Sequence, residues 1–132
     1  MANYYGAGRS NYFRVKNPIF FVDMCNRVDI EYEQKNDKFV IFGDEDHGDI
    51  PSSYYDDEEN EYEFDIVDFL AYQLHEDDVF IFMHSGAEGK SYIGGTAFWV
   101  NANGETGNID LSNIYDMAEQ ANPSKTITKA QY

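Results

Sequence analysis

The stretch SYIGGTAFWVNANGETGNI, Ser91 to Ile109, decides how this chain folds. Asn103-Gly104 is its strongest turn signal, because these two residues accept backbone conformations that tight hairpins demand. On one side, Ser91 to Asn101 reads as a strand, with a kink or bulge at Gly94-Gly95. On the other side, Glu105 to Ile109 returns as its partner. Working back, Ser85 to Lys90 is a Gly-containing loop, and Val79 to Met83 (VFIFM) is a buried strand by composition. Working forward, Asp110 or Ser112 caps a last helix, with Leu111, Ile114, Tyr115 and Ala118 on one face. Asn122-Pro123 stops that helix, and the polar residues after it read as a flexible tail.

The first half has the same grammar. Tyr12 to Lys16 (YFRVK) alternates as a short strand. Asn17-Pro18 opens a helix over residues 18–27, Asn as N-cap and Pro at the first helical position. Asp29 to Gln34 and Phe39 to Phe42 form a hairpin around Lys35-Asn36-Asp37. Residues 43–60 are a polar, acidic connection. Glu61 to Asp65 alternates acids with Tyr62 and Phe64, and a helix follows to about His75, with Ile66, Phe69, Leu70 and Leu74 inward. The expected fold is α+β: a mainly antiparallel sheet with two or three short helices packed on one side. It is a single domain over residues 1–123, with an acidic segment at 43–78 and a tail at 124–132.

Charge restricts function more than any motif does. Of 132 residues, 25 are Asp or Glu and nine are Lys or Arg, for a formal net charge of −16. Between Phe39 and Gly89 there is no Lys or Arg, while 16 acids fall there; the nine acids elsewhere balance the nine cations. Direct binding of nucleic acid is disfavoured, since holding phosphates requires cations that displace counterions. Anionic membranes are disfavoured on the same ground. A basic protein surface is the natural partner. The single cysteine, Cys25, and the lack of an apolar N-terminal block point to the cytoplasm.

Catalytic and metal signatures are weak. His47, His75 and His84 are far apart in sequence, and no nucleophile elbow frames His84-Ser85-Gly86. Cys25, on a helix beside Met24, reads as a small core residue. Counting a calcium loop from Asp44 puts Gly48, Asp49 and Tyr55 at positions 5, 6 and 12, and all three are wrong. Gly6, Gly8 and Gly94-Gly95 lack the Lys and the strand–helix context of a phosphate loop. Neither a cofactor nor a metal is expected.

The acidic segment is the candidate site. YYDDEENEYEFD, Tyr54 to Asp65, places seven acids in twelve residues and interleaves them with aromatics that can anchor it or meet a partner. Acids alternating on a strand point the same way about 6.6 Å apart. Sixteen charges at the density of duplex DNA, one per roughly 1.7 Å, correspond to about 27 Å of duplex. That is the length of a small domain, so an ordered acidic face is of suitable scale to imitate DNA. The expected contacts to Lys and Arg are Asp44, Asp46, Asp49, Asp56, Asp57, Glu58, Glu59, Glu61, Glu63 and Asp68, with Tyr54 and Tyr55 as packed contacts.

The segments NYFRVK (11–16), FIFMHSG (80–86) and GNIDLSNIYDMAEQ (107–120) resemble a family of small acidic proteins of phages and mobile elements. Relatives of this type resemble anti-CRISPR or antirestriction inhibitors, which block host nucleases by occupying DNA-binding surfaces. The resemblance covers the two ends, and the central acidic insert departs from it, so no target and no functional residue carries over. It implies an inhibitor of a host nucleic-acid-processing complex, a CRISPR effector before a restriction enzyme. Two other readings stand beside it: an acidic binding module or chaperone for a basic protein, and a small hydrolase using His84.

Overall fold

A computed structural model of the chain describes residues 4–130. The Asn103-Gly104 hairpin is present: β7 (Tyr92–Asn101) pairs antiparallel with β8 (Thr106–Asp110), through Trp99 opposite Gly107 and Ala97 opposite Ile109. Its turn is wider than a two-residue reversal. The Asn101 side chain accepts from the backbone N–H of Asn103 and Glu105, and only Gly104 adopts a positive φ, 81°. The side-chain clamp makes the left-handed conformation unnecessary at Asn103.

Upstream, β6 (Val79–Glu88) runs through the expected loop at 85–90, and the reversal is confined to residues 89–91, where Gly89 has φ 56°. The β6–β7 register is unbroken from Val79–Asn101 to Glu88–Tyr92, so the expected bulge at Gly94-Gly95 is absent. Gly95 instead lies under the Leu111 side chain, where a Cβ would press on Leu111 Cδ1 at 2.9 Å.

The other long partner of β6 is a strand the alternation pattern does not reveal, β1 (Tyr4–Ser10, YYGAGRS). Two glycines in seven residues erase its hydrophobic pattern. Conversely, the strand expected at Tyr12 to Lys16 reduces to isolated bridges, Phe13 to Phe39 and Val15 to Leu74, although both side chains are buried as the alternation requires. β2 (Glu31–Lys35) and β3 (Lys38–Phe42) form the expected hairpin around Asn36, φ 60°. The complete sheet is antiparallel, in the order β2-β3-β1-β6-β7-β8.

One face of this sheet carries the core. The helix α1 (Pro18–Val28) begins where Asn17 Oδ1 accepts from Phe20 N–H, and it buries Phe21, Cys25 and Val28. A second helix, α2 (Ile66–Gln73), is capped by Asp65, whose side chain accepts from Val67 and Asp68 N–H, and it buries Leu70. Phe13, Phe21, Phe39 and Phe80 meet edge-on or tilted at 4.8–5.7 Å between ring centroids, the offset geometry aromatic quadrupoles favour. The third helix, α3 (Asn113–Ala121), forms where expected but fully buries no residue; of the face shared by Leu111, Ile114, Tyr115 and Ala118, Tyr115 and Ala118 are half-buried and the other two exposed. Beyond α3, Ala130 N–H donates to Tyr115 Oη. Among the described residues no helix is long and apolar enough to cross a membrane.

Candidate functional site

The acidic segment divides into two structures, both on the helix-bearing side of the sheet. The first is the loop between Gly43 and Ile50. Asp44 Oδ1 accepts from the N–H groups of His47 and Gly48, and these bonds hold its carboxyl below the usual range, the His47 bond foremost. The loop then lies across β1. Gly6 N–H donates to Asp46 O and Gly43 N–H to Gly8 O. A Cβ at Gly6 would collide with the carbonyl of His47, and one at Gly8 with that of Gly48. The glycines of β1 are therefore there for close backbone approach. Asp46 and Asp49 are exposed on this loop, and Asp49 Oδ1 stands 3.5 Å from His84 Nε2, which also bonds His47 O at 2.6 Å.

The second structure is a hairpin apart from the main sheet, β4 (Ser53–Tyr55) with β5 (Glu61–Glu63). Tyr54 is directly opposite Tyr62, and their rings stack at 5.3 Å, with Tyr54 packed against the core. Strand alternation then turns the pairs Tyr55–Glu61 and Ser53–Glu63 the other way. Tyr55 Oη donates to Glu61 Oε2 at 2.6 Å. The acidic tip is built by one of its own carboxylates: Asp56 Oδ1 accepts from Glu58 and Asn60 N–H, and Oδ2 from Asn60 Nδ2 and Tyr62 Oη. The backbone bond from Asn60 is the main cause of its lowered pKa. Glu59 takes φ 64°, completing the reversal. Asp57, Glu58, Glu59, Glu61 and Glu63 are all exposed, and among the described residues no Lys or Arg pairs with any of them.

The twelve expected contact residues thus have different duties. Asp44 and Asp56 organise loops, and Tyr54 anchors the hairpin. Asp57, Glu58, Glu59, Glu61 and Glu63 share the hairpin, with Tyr55 among them; Asp46 and Asp49 are on the separate loop. Asp68 is exposed in the first turn of α2, at the positive end of the helix dipole. Outside this set, Asp78 is taken up by Arg14 in a two-pronged pair, Nη2 to Oδ1 at 2.7 Å and Nε to Oδ2 at 3.1 Å. Arg14 depresses the Asp78 pKa, and one charge of the cation-free window is thereby neutralised from outside it.

The His84-Ser85 fragment is divided by the sheet. Cross-strand partners place His84 on the core side with Phe80 and Phe82, and Ser85 on the opposite face, so the hydroxyl and imidazole of these neighbours point apart. Cys25 is buried, which pushes its thiol pKa up to about 12. Among the described residues no cluster of three or more His, Cys, Asp or Glu side chains converges as a metal site would. No family model, curated protein or solved structure matches the chain.

Sequence reasoning missed a second surface. VFIFM is apolar at every position, which normally marks a strand covered on both faces. Only one face is covered: Phe80 and Phe82 are buried, while Val79, Ile81 and Met83 are exposed.

Proposed function

We propose that this protein inhibits a host nucleic-acid-processing complex by docking its acidic side into the groove where that complex holds DNA or RNA, with a CRISPR effector the first candidate. The β4–β5 hairpin supports this reading: five carboxylates, unpaired with any Lys or Arg among the described residues, project from a hairpin whose turn Asp56 locks and which Tyr54 ties to the core. A preformed array loses little conformational entropy on docking, and its charge steers it toward a basic groove.

The test is competition. The protein is expected to displace DNA from a purified CRISPR effector, with apparent affinity falling as salt rises. The triple variant Asp57→Lys, Glu58→Lys, Glu59→Lys leaves Asp56 and the tyrosines in place, so the hairpin persists while its field reverses. Unchanged displacement by that variant would sink the proposal. Capture of a basic protein without displacement of its DNA would instead support an acidic binding module.

A further inference from the structure

On β1, β6, β7 and β8 the sheet face opposite α1 and α2 is apolar and largely exposed, with Leu111 folded over Gly95; at β3 the same face is covered, Val40 being fully buried. A cross-strand row runs Phe42, Arg9, Met83, Ala97, Ile109 over five strands. Beside it lie Ile81 opposite Trp99, and Ala7 opposite Ser85 opposite Gly95, over which Leu111 leans. Met83 is 63 % exposed, Ile109 69 % and Leu111 57 %. Between these side chains the small residues leave an apolar trough of about 580 Å³. Contiguous apolar surface on this scale marks an interaction site.

We infer that this face is where two copies of the chain meet, sheet on sheet, in a two-fold dimer that turns both acidic sides outward. Three observations select a second copy as occupant. The first is charge. On β1, β6, β7 and β8 strand alternation gives this face one cation, Arg9, and no carboxylate, with Asp110 at the end of the trough; at the β2–β3 edge Glu31 and Glu33 stand beside Lys35 and Lys38. A basic partner therefore finds its complement on the other side. Two such faces packed about 10 Å apart keep the hairpin carboxylates of the two copies separated by both sheets and both helical layers. That exceeds the screening length of about 8 Å at physiological salt.

The second observation is area. The four strands β1, β6, β7 and β8, of seven, ten, ten and five residues, cover roughly 500 Å² in projection at about 3.3 Å per residue and about 4.8 Å between strands. With the side chains of Leu111 and Phe42 at its margins, this is the scale of a small two-fold interface, below the roughly 800 Å² per partner of a standard one. The third is shape. A trough of Ala7, Ser85 and Gly95 lies beside a ridge of Met83 and Ile109 on the same face. A two-fold contact needs knob and hole on one surface, so that each copy fills the other.

Light scattering on the full chain at micromolar concentration is expected to give twice the 15.2 kDa chain mass. Met83→Glu with Ile109→Glu should halve the mass; Ile19→Glu, on exposed α1 surface, should not. Trp99, the sole tryptophan, provides a readout without mutation: its emission should shift to the blue as concentration rises through dimerisation. A monomeric wild type with concentration-independent emission overturns the inference, as does a dimer that survives the double glutamate variant. The lysine triple variant of the hairpin should remain dimeric, so failure of the inhibitor reading would leave this result untouched.

Discussion

Cys25 and Asp56 show how neighbours redefine a residue. Cys25 is the only thiol, and position within an apolar helix face makes it a packing residue. With its pKa raised to about 12 by burial, almost no thiolate exists at neutral pH, and the thiolate is the reactive form. Native protein at about pH 8 is expected to resist iodoacetamide and to label fully in urea, as intact mass will show. Asp56 could be named as an acid from the sequence but not as the organiser of its turn. That role depends on four donors from Glu58, Asn60 and Tyr62 converging on one carboxylate. The same holds for Asp44, whose partners are backbone groups three and four residues on. Each acid is legible as charge; its hydrogen bonds are set by a loop conformation that composition does not specify.

Elements whose signals are local came through with small changes. The Asn17-Pro18 start of α1, the helix after Glu61 to Asp65 and the β2–β3 and β7–β8 hairpins rest on residues a few positions apart. β1 failed because its rationale is remote: Gly6 and Gly8 leave room for a loop some forty residues later in the chain. That contact yields a prediction. Gly8→Ala should push the 43–49 loop off the strand and cost about 1–3 kcal/mol, in line with overpacking elsewhere, read as a lower urea midpoint. Ala7→Ser, on the open face, should leave the midpoint almost unchanged. A tolerated Gly8→Ala would mean that the loop does not need its seat on β1.

For the whole molecule, two pH effects oppose each other. A net charge of −16 repels itself, and that repulsion weakens only as pH falls toward the ordinary carboxylate range near about 4. Asp44, Asp56 and Asp78 act in the opposite sense. Their folded pKa values lie below the ordinary 3.8, so their contribution is complete above that value and is lost as pH falls through the depressed folded values. Melting temperature should therefore change little from about pH 8 to about pH 6, where carboxylates stay ionised, and fall below the ordinary Asp range as these three acids lose their bonds. Added salt should raise it at the higher pH more than at the lower. A melting temperature at about pH 8 that added salt leaves unchanged would mean that self-repulsion is negligible in the folded protein.

By itself the sequence determined the antiparallel character of the sheet, most element positions and the concentration of charge in one window, because alternation, caps and turn residues act over a few positions. Tertiary structure alone decided where that charge points. It seated the 43–49 loop on glycines of β1, tied the 54–62 hairpin to the core through Tyr54, and drew Asp78 to Arg14. It also decided that VFIFM is covered on one face only. Which side of an apolar strand meets the helices depends on the whole layer arrangement, and no local pattern encodes that.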